Sequence, residues 1–458
     1  MFPKLRTPKY VRFLFYFVSL SLPANQSVAV ELPSSKPEAQ GMSSERLERL
    51  SKHMANAVEK GVMVGGQAMI SRNGKVVYNE TWGQRDREAN KPMEKDTLHR
   101  IYSMTKPITG VAVMMLYEEG HFFLNDPIAR YIPELADLEV AVSTADGETK
   151  VESDGTTSRT VGEGDTSQAG KTRKPKRQPT IRDLLRHTAG FTYGFFGNTE
   201  VDKKYREAKI LWGQKDLKEF VTALGKLPLQ YEPGTRWHYS VGVDIQGRLV
   251  EVISGMSFSE FLQKRIFEPL EMKDTFFVVP DHKVARFAQL YQPKGNPTGL
   301  NTYRDRSAST ELEVADESAN RNYRKGATFQ SGGGGLVSTA DDYMRFSLMM
   351  LNGGELNGKR LLSRKSVELM TVNHLGKLPM GFGRTGAGFG LGFGVALNQG
   401  DIGELGSAGE YNWGGAAGTR FWVDPQEKII GIFMVQSRPH RTRLGREFKT
   451  FVYQAVVD

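Results

Sequence analysis

The chain of 458 residues contains no cysteine. Disulfide bonds, a thiol nucleophile, thiolate metal sites and a lipid attached to cysteine are therefore excluded. The eight histidines show no His-x-x-x-His or other metal-binding spacing, and no Gly-x-Ser-x-Gly turn occurs. The sequence thus predicts no metal and no cofactor, and it lacks the nucleophile turn of the α/β-hydrolase fold.

Long apolar runs are also scarce, and the one nearest the N-terminus is short. Residues 13–22 are apolar, follow four basic residues and precede small residues that end at Ser27-Val28-Ala29. This pattern predicts a signal peptide over residues 1–29 and an exported protein, periplasmic or secreted. An uncleaved N-terminal anchor is the alternative. The run is too short for an ordinary membrane span, so no stable membrane insertion is expected after signal removal.

The excess of positive charge is small once the predicted signal is set aside. The net charge is +9, of which four charges belong to the signal, leaving +5 for the mature chain. Basic residues cluster at 171–177, at the end of a stretch from about 143 to 180 that is rich in Gly, Ser, Thr and Asp. Such a segment cannot bury enough apolar surface to order itself, so we predict a flexible surface insertion. A solvated loop is favoured over contact with anionic polymers, and no nucleic-acid partner is predicted.

A helix and a hairpin are predicted near the N-terminus. Ser43-Ser44-Glu45 opens a helix with an apolar stripe that closes near Gly61. Strand patterns over residues 66–72 and 75–82 then flank Asn73-Gly74, which is a strong hairpin signal.

Helices and long loops dominate the middle of the chain, and strand patterns return only near its end. Because the N-terminal hairpin and the C-terminal strands have no other partners, we expect one antiparallel sheet from both chain ends, flanked by the terminal helices. The predicted domains are an α/β sheet domain over 30–100 and 335–458 and a mostly helical domain over 101–334. The predicted middle helices cover 181–187, 217–227, 243–254, 259–267 and 341–351, and the predicted C-terminal strands and final helix cover 389–397, 418–423, 428–436 and 444–456.

Ser103-Met104-Thr105-Lys106 bears most directly on function. A serine three residues before a lysine on a helix places hydroxyl and ammonium on one face, with Cβ atoms about 5–6 Å apart. Pro107 lacks an N–H and would clash with the carbonyl of Ser103, so the helix begins near Ser103. A serine hydroxyl needs an adjacent base to attack a carbonyl, and a lysine can supply one. The motif therefore favours nucleophilic catalysis over a chance pair on one helix face.

Further stretches resemble those of a known superfamily in their residues, their order and their spacing along the chain. They are residues 183–190, Trp237-His238-Tyr239-Ser240-Val241, residues 332–339 and residues 411–419. Together with Ser103-x-x-Lys106 they are similar to the serine β-lactamases and penicillin-binding proteins, and most of all to family VIII carboxylesterases. The resemblance runs from about residue 36 to the end, apart from 143–180. It implies an α+β fold of the β-lactamase/transpeptidase type with a mostly helical second lobe.

The resemblance also implies catalytic roles. Ser103 would be the nucleophile, with Lys106 and Tyr239 as its catalytic partners. Which of these two removes the serine proton is left open. The backbone N–H groups of Ser103 and Ala416 would form an oxyanion hole.

The pocket departs from the family pattern at two places. Trp413, Gly414 and Gly415 stand where the family carries Lys-Thr-Gly, and they would line the substrate pocket. This change removes a cation that helps to hold substrate carboxylates and adds an apolar wall. Val241 stands where β-lactamases usually carry an asparagine that grips the substrate amide. Both departures favour esters over β-lactams.

The sequence therefore predicts a serine hydrolase that cleaves small-molecule carboxylic esters with short to medium acyl chains through an acyl-enzyme on Ser103. The alternatives are a weak β-lactamase, a D-amino-acid peptidase or amidase, an acyltransferase, and a non-enzymatic binding protein similar to a penicillin sensor. A Ser-His-Asp arrangement is rejected, and His187 and His238 are interpreted as structural. The oligomeric state is left open.

Overall fold

A computed structural model describes residues 31–142, 149–151, 157–159, 170–294, 311–315, 323–324, 326–440 and 442–458. The predicted signal peptide at 1–29 and most of the predicted insertion at 143–180 lie outside these ranges. Leu32–Asp458 forms one compact unit, and its division into a sheet domain and a helical domain stays a prediction. Within the described ranges, no helix has the length and apolar character that a membrane span requires.

An eight-stranded antiparallel sheet contains strands from both ends of the chain. Its strands are β1 (Gly65–Arg72), β2 (Lys75–Asp86), β3 (Lys91–Pro92), β4 (Ala387–Phe389), β5 (Gly394–Ala396), β6 (Tyr411–Gly414), β7 (Arg420–Asp424) and β8 (Ile429–Val435). The order across the sheet is β4-β5-β6-β7-β8-β1-β2-β3. β1 pairs with β8, with Gly66 opposite Val435 and Arg72 opposite Ile429. The predicted α+β fold, with one sheet from both chain ends, is confirmed.

The turn between β1 and β2 follows from its two residues. Asn73 and Gly74 both have positive φ, at 51° and 76°. A two-residue hairpin turn of this kind needs positive φ at both positions, which asparagine and glycine tolerate best.

Helices cover both faces of the sheet and fill the middle of the chain. They are α1 (Ser44–Glu59), α2 (Thr105–Glu118), α3 (Ile181–Leu185), α4 (Glu200–Glu207), α5 (Leu217–Leu224), α6 (Gly242–Ser254), α7 (Phe258–Leu262), α8 (Ala340–Leu351), α9 (Arg364–Met370), α10 (Gln399–Ile402) and α11 (Leu444–Tyr453). A π-helical turn, Gln263–Phe267, extends α7. Three helices, α4, α9 and α10, were not predicted, although Thr199, Ser363 and Asn398 cap their N-termini.

Short strand pairs lie outside the main sheet. They join His99–Arg100 to Val337–Ser338, Val140–Ala141 to Thr172–Arg173, Thr149–Val151 to Thr157–Arg159, Tyr291–Pro293 to Leu312–Val314, and Glu355–Leu356 to Lys359–Arg360.

The side chains of β8 alternate between two hydrophobic clusters. Phe433 and Val435 pack in a cluster with the terminal helices α1 and α11. Ile430 and Ile432 point to the opposite face and join the larger cluster that includes α2 and α8. Since successive side chains of a strand face opposite sides, a strand buried on both faces is apolar throughout.

The predicted strand over residues 389–397 is wrong in one respect. The chain forms a hairpin there, and β4 and β5 lie on either side of Gly390-Leu391-Gly392-Phe393. Gly392 has φ 100°, which side chains rarely adopt, and a Cβ on Gly390 would lie 2.1 Å from the carbonyl of Met370. The two glycines therefore break the apolar run that predicted a continuous strand.

The C-terminal end of the predicted insertion is held against the helical part of the chain. Thr172–Arg173 pairs with Val140–Ala141. Lys174 Nζ lies 3.5 Å from an Asp137 oxygen, and Arg177 Nη1 lies 2.5 Å from Asp183 Oδ2. The basic side chains of this segment are exposed to solvent, as expected, and three of them also form ion pairs with neighbouring carboxylates.

Asp183 is the buried centre of this ion-pair network. Its carboxylate accepts hydrogen bonds from Arg177, from Arg186 at 2.9 Å and from the hydroxyl of Thr188 at 2.8 Å. It also completes a capping box with Thr180 at the start of α3. Burial alone would raise the pKa of Asp183, but the hydrogen bonds lower it to about 2.

We expect Asp183→Asn to lower the free energy of unfolding by about 3–5 kcal/mol, because it leaves two arginines without their carboxylate. The contribution of the wild-type carboxylate is present above its ordinary pKa of 3.8 and is lost as the pH falls through about 2. Urea unfolding followed by circular dichroism, from pH 7 to pH 2, measures both effects. Asp137→Asn is the matched control, because Asp137 is 99% exposed and its surface pair contributes less than about 1 kcal/mol. Equal losses in the two variants would contradict the account.

Candidate active site

Ser103 lies in a 3₁₀ turn, Tyr102–Met104, that leads directly into α2. α2 begins at Thr105, close to Ser103, as the position of Pro107 predicts. Tyr102 has φ 42°, an uncommon conformation for an aromatic residue, and such backbone strain is concentrated at functional sites. Ser103 as a whole is half-buried.

Lys106 is buried beside Ser103. Its Nζ lies 3.3 Å from Ser103 Oγ and donates a 2.6 Å hydrogen bond to the carbonyl of Gly333, and the residue is 1% exposed. Pairing of the two side chains across one turn, which the motif spacing predicts, is thus observed. An amine at this distance can exchange a proton with the hydroxyl.

Asp244 fixes the backbone at Gly333, whose carbonyl accepts the hydrogen bond from the Lys106 ammonium. Its Oδ1 accepts from the N–H of Gly333 at 3.1 Å and from the Ser331 hydroxyl at 2.6 Å. Burial raises the pKa of Asp244, while the hydrogen bond from Ser331 and the nearby Lys106 act in the opposite direction. A Cβ on Gly332 would lie 2.6 Å from the carbonyl of Val243, so glycine at this position permits the close approach of the two backbone segments.

Tyr239 lies over Lys106. The Lys106 Nζ is 4.5 Å from the centroid of the Tyr239 ring, and Tyr239 is 8% exposed. Its hydroxyl accepts a 3.3 Å hydrogen bond from Nε1 of Trp413 on β6. The site therefore brings together three stretches that are far apart in the sequence, at residues 103–106, 239 and 413. Aromatic rings surround Tyr239, with centroids 4.8–6.0 Å away: His187, Tyr193, Phe196, Trp237, Phe382 and Trp413.

The two histidines near Tyr239 have structural contacts. Burial, followed by the charge of Lys106, holds the pKa of His187 well below its ordinary value, so its ring is neutral. The ring packs against Trp237 and Phe389. His238 Nε2 lies 3.3 Å from the Thr192 hydroxyl. These contacts agree with the structural interpretation of both histidines.

The turn after β6 packs against the segment that precedes Ser103. The N–H of Gly415 donates to the carbonyl of Thr419 at 2.8 Å, and the Thr419 hydroxyl lies 3.4 Å from the carbonyl of Ile101. A Cβ on Gly415 would lie only 2.4 Å from that same carbonyl. Glycine at 415 therefore permits the turn that contains the half-buried Ala416 to pack closely against the segment before Ser103.

Arg384 is a residue of the site that the sequence analysis missed. Its guanidinium carbon lies 5.7 Å from the Trp413 ring centroid, so a cation remains beside the position where the family carries lysine. No local pattern marks Arg384, because its place depends on how the loop before β4 folds over the aromatic cluster. Among the described residues, no group of three His, Asp or Glu side chains is arranged to hold a metal ion.

A large antiparallel sheet, helices on both faces and a Ser-x-x-Lys pair with a buried lysine define the class of serine hydrolases to which β-lactamases and penicillin-binding proteins belong. The chain belongs to the Beta-lactamase family, whose model matches residues 50–452. It is therefore a serine hydrolase of the β-lactamase-like superfamily.

Individual relatives agree with this assignment. The chain is 31% identical over 391 residues to Protein Rv1367c of Mycobacterium tuberculosis, covering 83% of this chain and 88% of that protein. It is 28% identical over 386 residues to Esterase EstB of Burkholderia gladioli, covering 82% and 86%. Among solved structures, EstCE1, "a hydrolase with promiscuous acyltransferase activity", matches with a TM-score of 0.68 and 25% identity, covering 89% and 98%. The predicted resemblance to the esterase branch of the superfamily is confirmed.

Proposed function

We propose that the protein hydrolyses small-molecule carboxylic esters with short to medium acyl chains through an acyl-enzyme on Ser103. The observation that carries the proposal is the 3.3 Å contact between Lys106 Nζ and Ser103 Oγ in a site closed by Tyr239 and Trp413. The similarity to Esterase EstB supports an ester as the substrate. No cofactor takes part.

Acylation starts when Ser103 Oγ attacks the ester carbonyl and its proton passes to the Lys106–Tyr239 pair. The N–H groups of Ser103 and Ala416 stabilise the negative oxygen that forms, and each such donor lowers the barrier by about 3 kcal/mol. The bond to the alcohol oxygen then breaks, and the pair returns the proton to the leaving alkoxide.

Deacylation repeats these steps with water. The pair takes a proton from the water, which attacks the acyl carbonyl, and the bond to Ser103 Oγ breaks with return of a proton to the serine. The products are one carboxylic acid and one alcohol. Asp244 acts as a positioning residue, because it fixes the Gly333 carbonyl that accepts from Lys106.

Two features favour esters over β-lactams. Trp413 offers an indole N–H to Tyr239 where the family has a lysine. Val241 is fully buried at the start of α6, so this position offers no amide to a substrate. At these two positions the site lacks the lysine and the asparagine amide that a β-lactam would contact.

We expect the purified protein to hydrolyse 4-nitrophenyl butyrate with a kcat/KM at least about 100-fold above that for a chromogenic cephalosporin. Initial rates of colour release from both substrates measure this ratio, with heat-denatured protein as the control. Faster cephalosporin turnover would replace the esterase proposal by a β-lactamase. A burst of one equivalent without steady turnover would indicate a binding protein that stays acylated.

We also propose export to the periplasm or the medium. The basic, apolar and small-residue order of residues 1–29 supports this proposal.

A further inference from the structure

We propose that Arg384 binds a carboxylate group carried by the substrate, so that the preferred esters have a free carboxylate in either the acyl or the alcohol half. This inference rests on the proposed hydrolysis at Ser103 and assigns the substrate class of that site.

Arg384 belongs to the loop that forms one wall of the aromatic cluster. Two residues earlier, the Phe382 ring lies 5.7 Å from the Tyr239 ring and 5.4 Å from that of Trp237. Arg384 itself lies over Trp413, whose indole N–H donates to the Tyr239 hydroxyl. The Trp413 ring therefore contacts both the Arg384 guanidinium and the Tyr239 hydroxyl, which is proposed to take part in proton transfer with Ser103.

Arg384 has no anionic partner among the residues that the structure describes. Glu404 is the acidic side chain whose charge acts most strongly on the pKa of Arg384. The Glu404 carboxylate is already paired with other cations. Arg420 lies 3.2 Å, Arg446 3.1 Å and Lys449 3.8 Å from Glu404 oxygens. The described contacts of the Arg384 guanidinium therefore leave its N–H donors available to a ligand.

Arg384 is both exposed and charged. The residue as a whole is exposed, so a ligand can reach it. Desolvation by surrounding protein atoms, followed by repulsion from Arg420, lowers the pKa of Arg384 to about 10, which still leaves the guanidinium protonated at neutral pH. An accessible cation beside other cations attracts an anion, and the planar fork of a guanidinium matches a carboxylate with two parallel hydrogen bonds.

The apolar surroundings limit what can carry the carboxylate. Phe382 is 55% exposed and Phe196 is 38% exposed, and their ring centroids are 6.1 Å apart. These rings offer an apolar surface near Tyr239 for the body of an ester. A substrate with an apolar body and a terminal carboxylate would contact both the rings and Arg384.

The test uses two pairs of aryl esters. In each pair one ester carries a free carboxylate and the other is its neutral counterpart. The 4-nitrophenyl monoester of adipic acid is compared with 4-nitrophenyl hexanoate, which places the carboxylate in the acyl half. Free 4-acetoxybenzoate is compared with its methyl ester, which places the carboxylate in the alcohol half. In each pair the readout is the ratio of kcat/KM for the charged ester to that for the neutral ester. The two pairs distinguish which half of the substrate reaches Arg384.

We expect the wild-type ratio to exceed 1 in one pair and to fall by about 10-fold or more in Arg384→Gln, mainly through KM. Arg384→Lys should recover part of the ratio, since it keeps the charge but loses the fork. Lys377→Gln is the matched control, because Lys377 is an exposed cation of the same region outside the site, and it should leave the ratio unchanged.

Two other outcomes overturn the inference in different ways. If wild-type protein hydrolyses the neutral esters and Arg384→Gln changes neither ratio, carboxylate binding at Arg384 is wrong while the proposed function stands. If no ester of either pair is hydrolysed, the proposed function and the inference fail together.

Discussion

Replacing Ser103 by alanine should lower kcat/KM for 4-nitrophenyl butyrate by about 10⁴-fold or more. The variant lacks the only atom proposed to bond to the acyl group, and Lys106 and Tyr239 then have no hydroxyl on which to act. The fold should be unchanged, because Ser103 is only half-buried and Lys106 keeps its hydrogen bond to the Gly333 carbonyl when the serine hydroxyl is removed. Steady-state kinetics and thermal unfolding, both on protein purified in the same way, measure the two effects.

Ser407→Ala provides the control for Ser103→Ala. Ser407 is also half-buried, but it lies in the loop before β6 and outside the candidate site. We expect it to keep wild-type activity. Retention of more than about a tenth of the activity in Ser103→Ala would contradict the assignment of the nucleophile.

Lys106→Met should lower kcat/KM by about 10³-fold, in the middle of the range for loss of a general acid-base group. Methionine has a similar length and keeps the site filled, but it cannot take the serine proton or donate to Gly333. The loss should appear mainly in kcat, because the ammonium acts on the reacting hydroxyl and contacts no substrate group in the proposal. Substrate titrations with 4-nitrophenyl butyrate separate kcat from KM.

Lys449→Met separates this catalytic effect from the removal of any buried lysine. Lys449 is 3% exposed and lies 2.8 Å from a Glu410 oxygen, far along the chain from the site residues. Its loss removes a cation from the Glu410 and Glu404 carboxylates, so it should lower the thermal stability and leave kcat within a few-fold of wild type. If Lys106→Met lost activity only in proportion to its unfolded fraction, a catalytic role for Lys106 would be wrong.

Local features of the fold were predictable from the sequence. Asn73-Gly74 fixes a two-residue turn, and Ser43 caps α1 through the N–H of Arg46. These signals act over a few residues, so they are visible without the rest of the fold. The β1–β8 pairing spans most of the chain, and it was predicted only because the terminal strands lacked other partners. The break in the strand at 389–397 depends on close backbone contacts of Gly390, which a hydrophobic pattern does not contain.

The residues of the candidate site also divide into those that a local pattern predicts and those whose position depends on the rest of the fold. Ser103 and Lys106 are one turn apart, so their spacing alone predicts the contact. Tyr239 and Trp413 were identified only through resemblance to a family, since nothing local distinguishes them from other buried aromatic residues. Arg384 and Asp244 gained their place from tertiary packing. Arg384 reaches the site through a loop, and Asp244 acts on Lys106 through the backbone of a distant glycine.

The most direct measurement of the central claim is intact-protein mass spectrometry after rapid acid quenching during turnover of 4-nitrophenyl butyrate, followed by peptide mapping. The account predicts a mass increase of one butyryl group, located on the peptide that contains Ser103 and absent from Ser103→Ala. An adduct on another residue, or full turnover by Ser103→Ala, would contradict it.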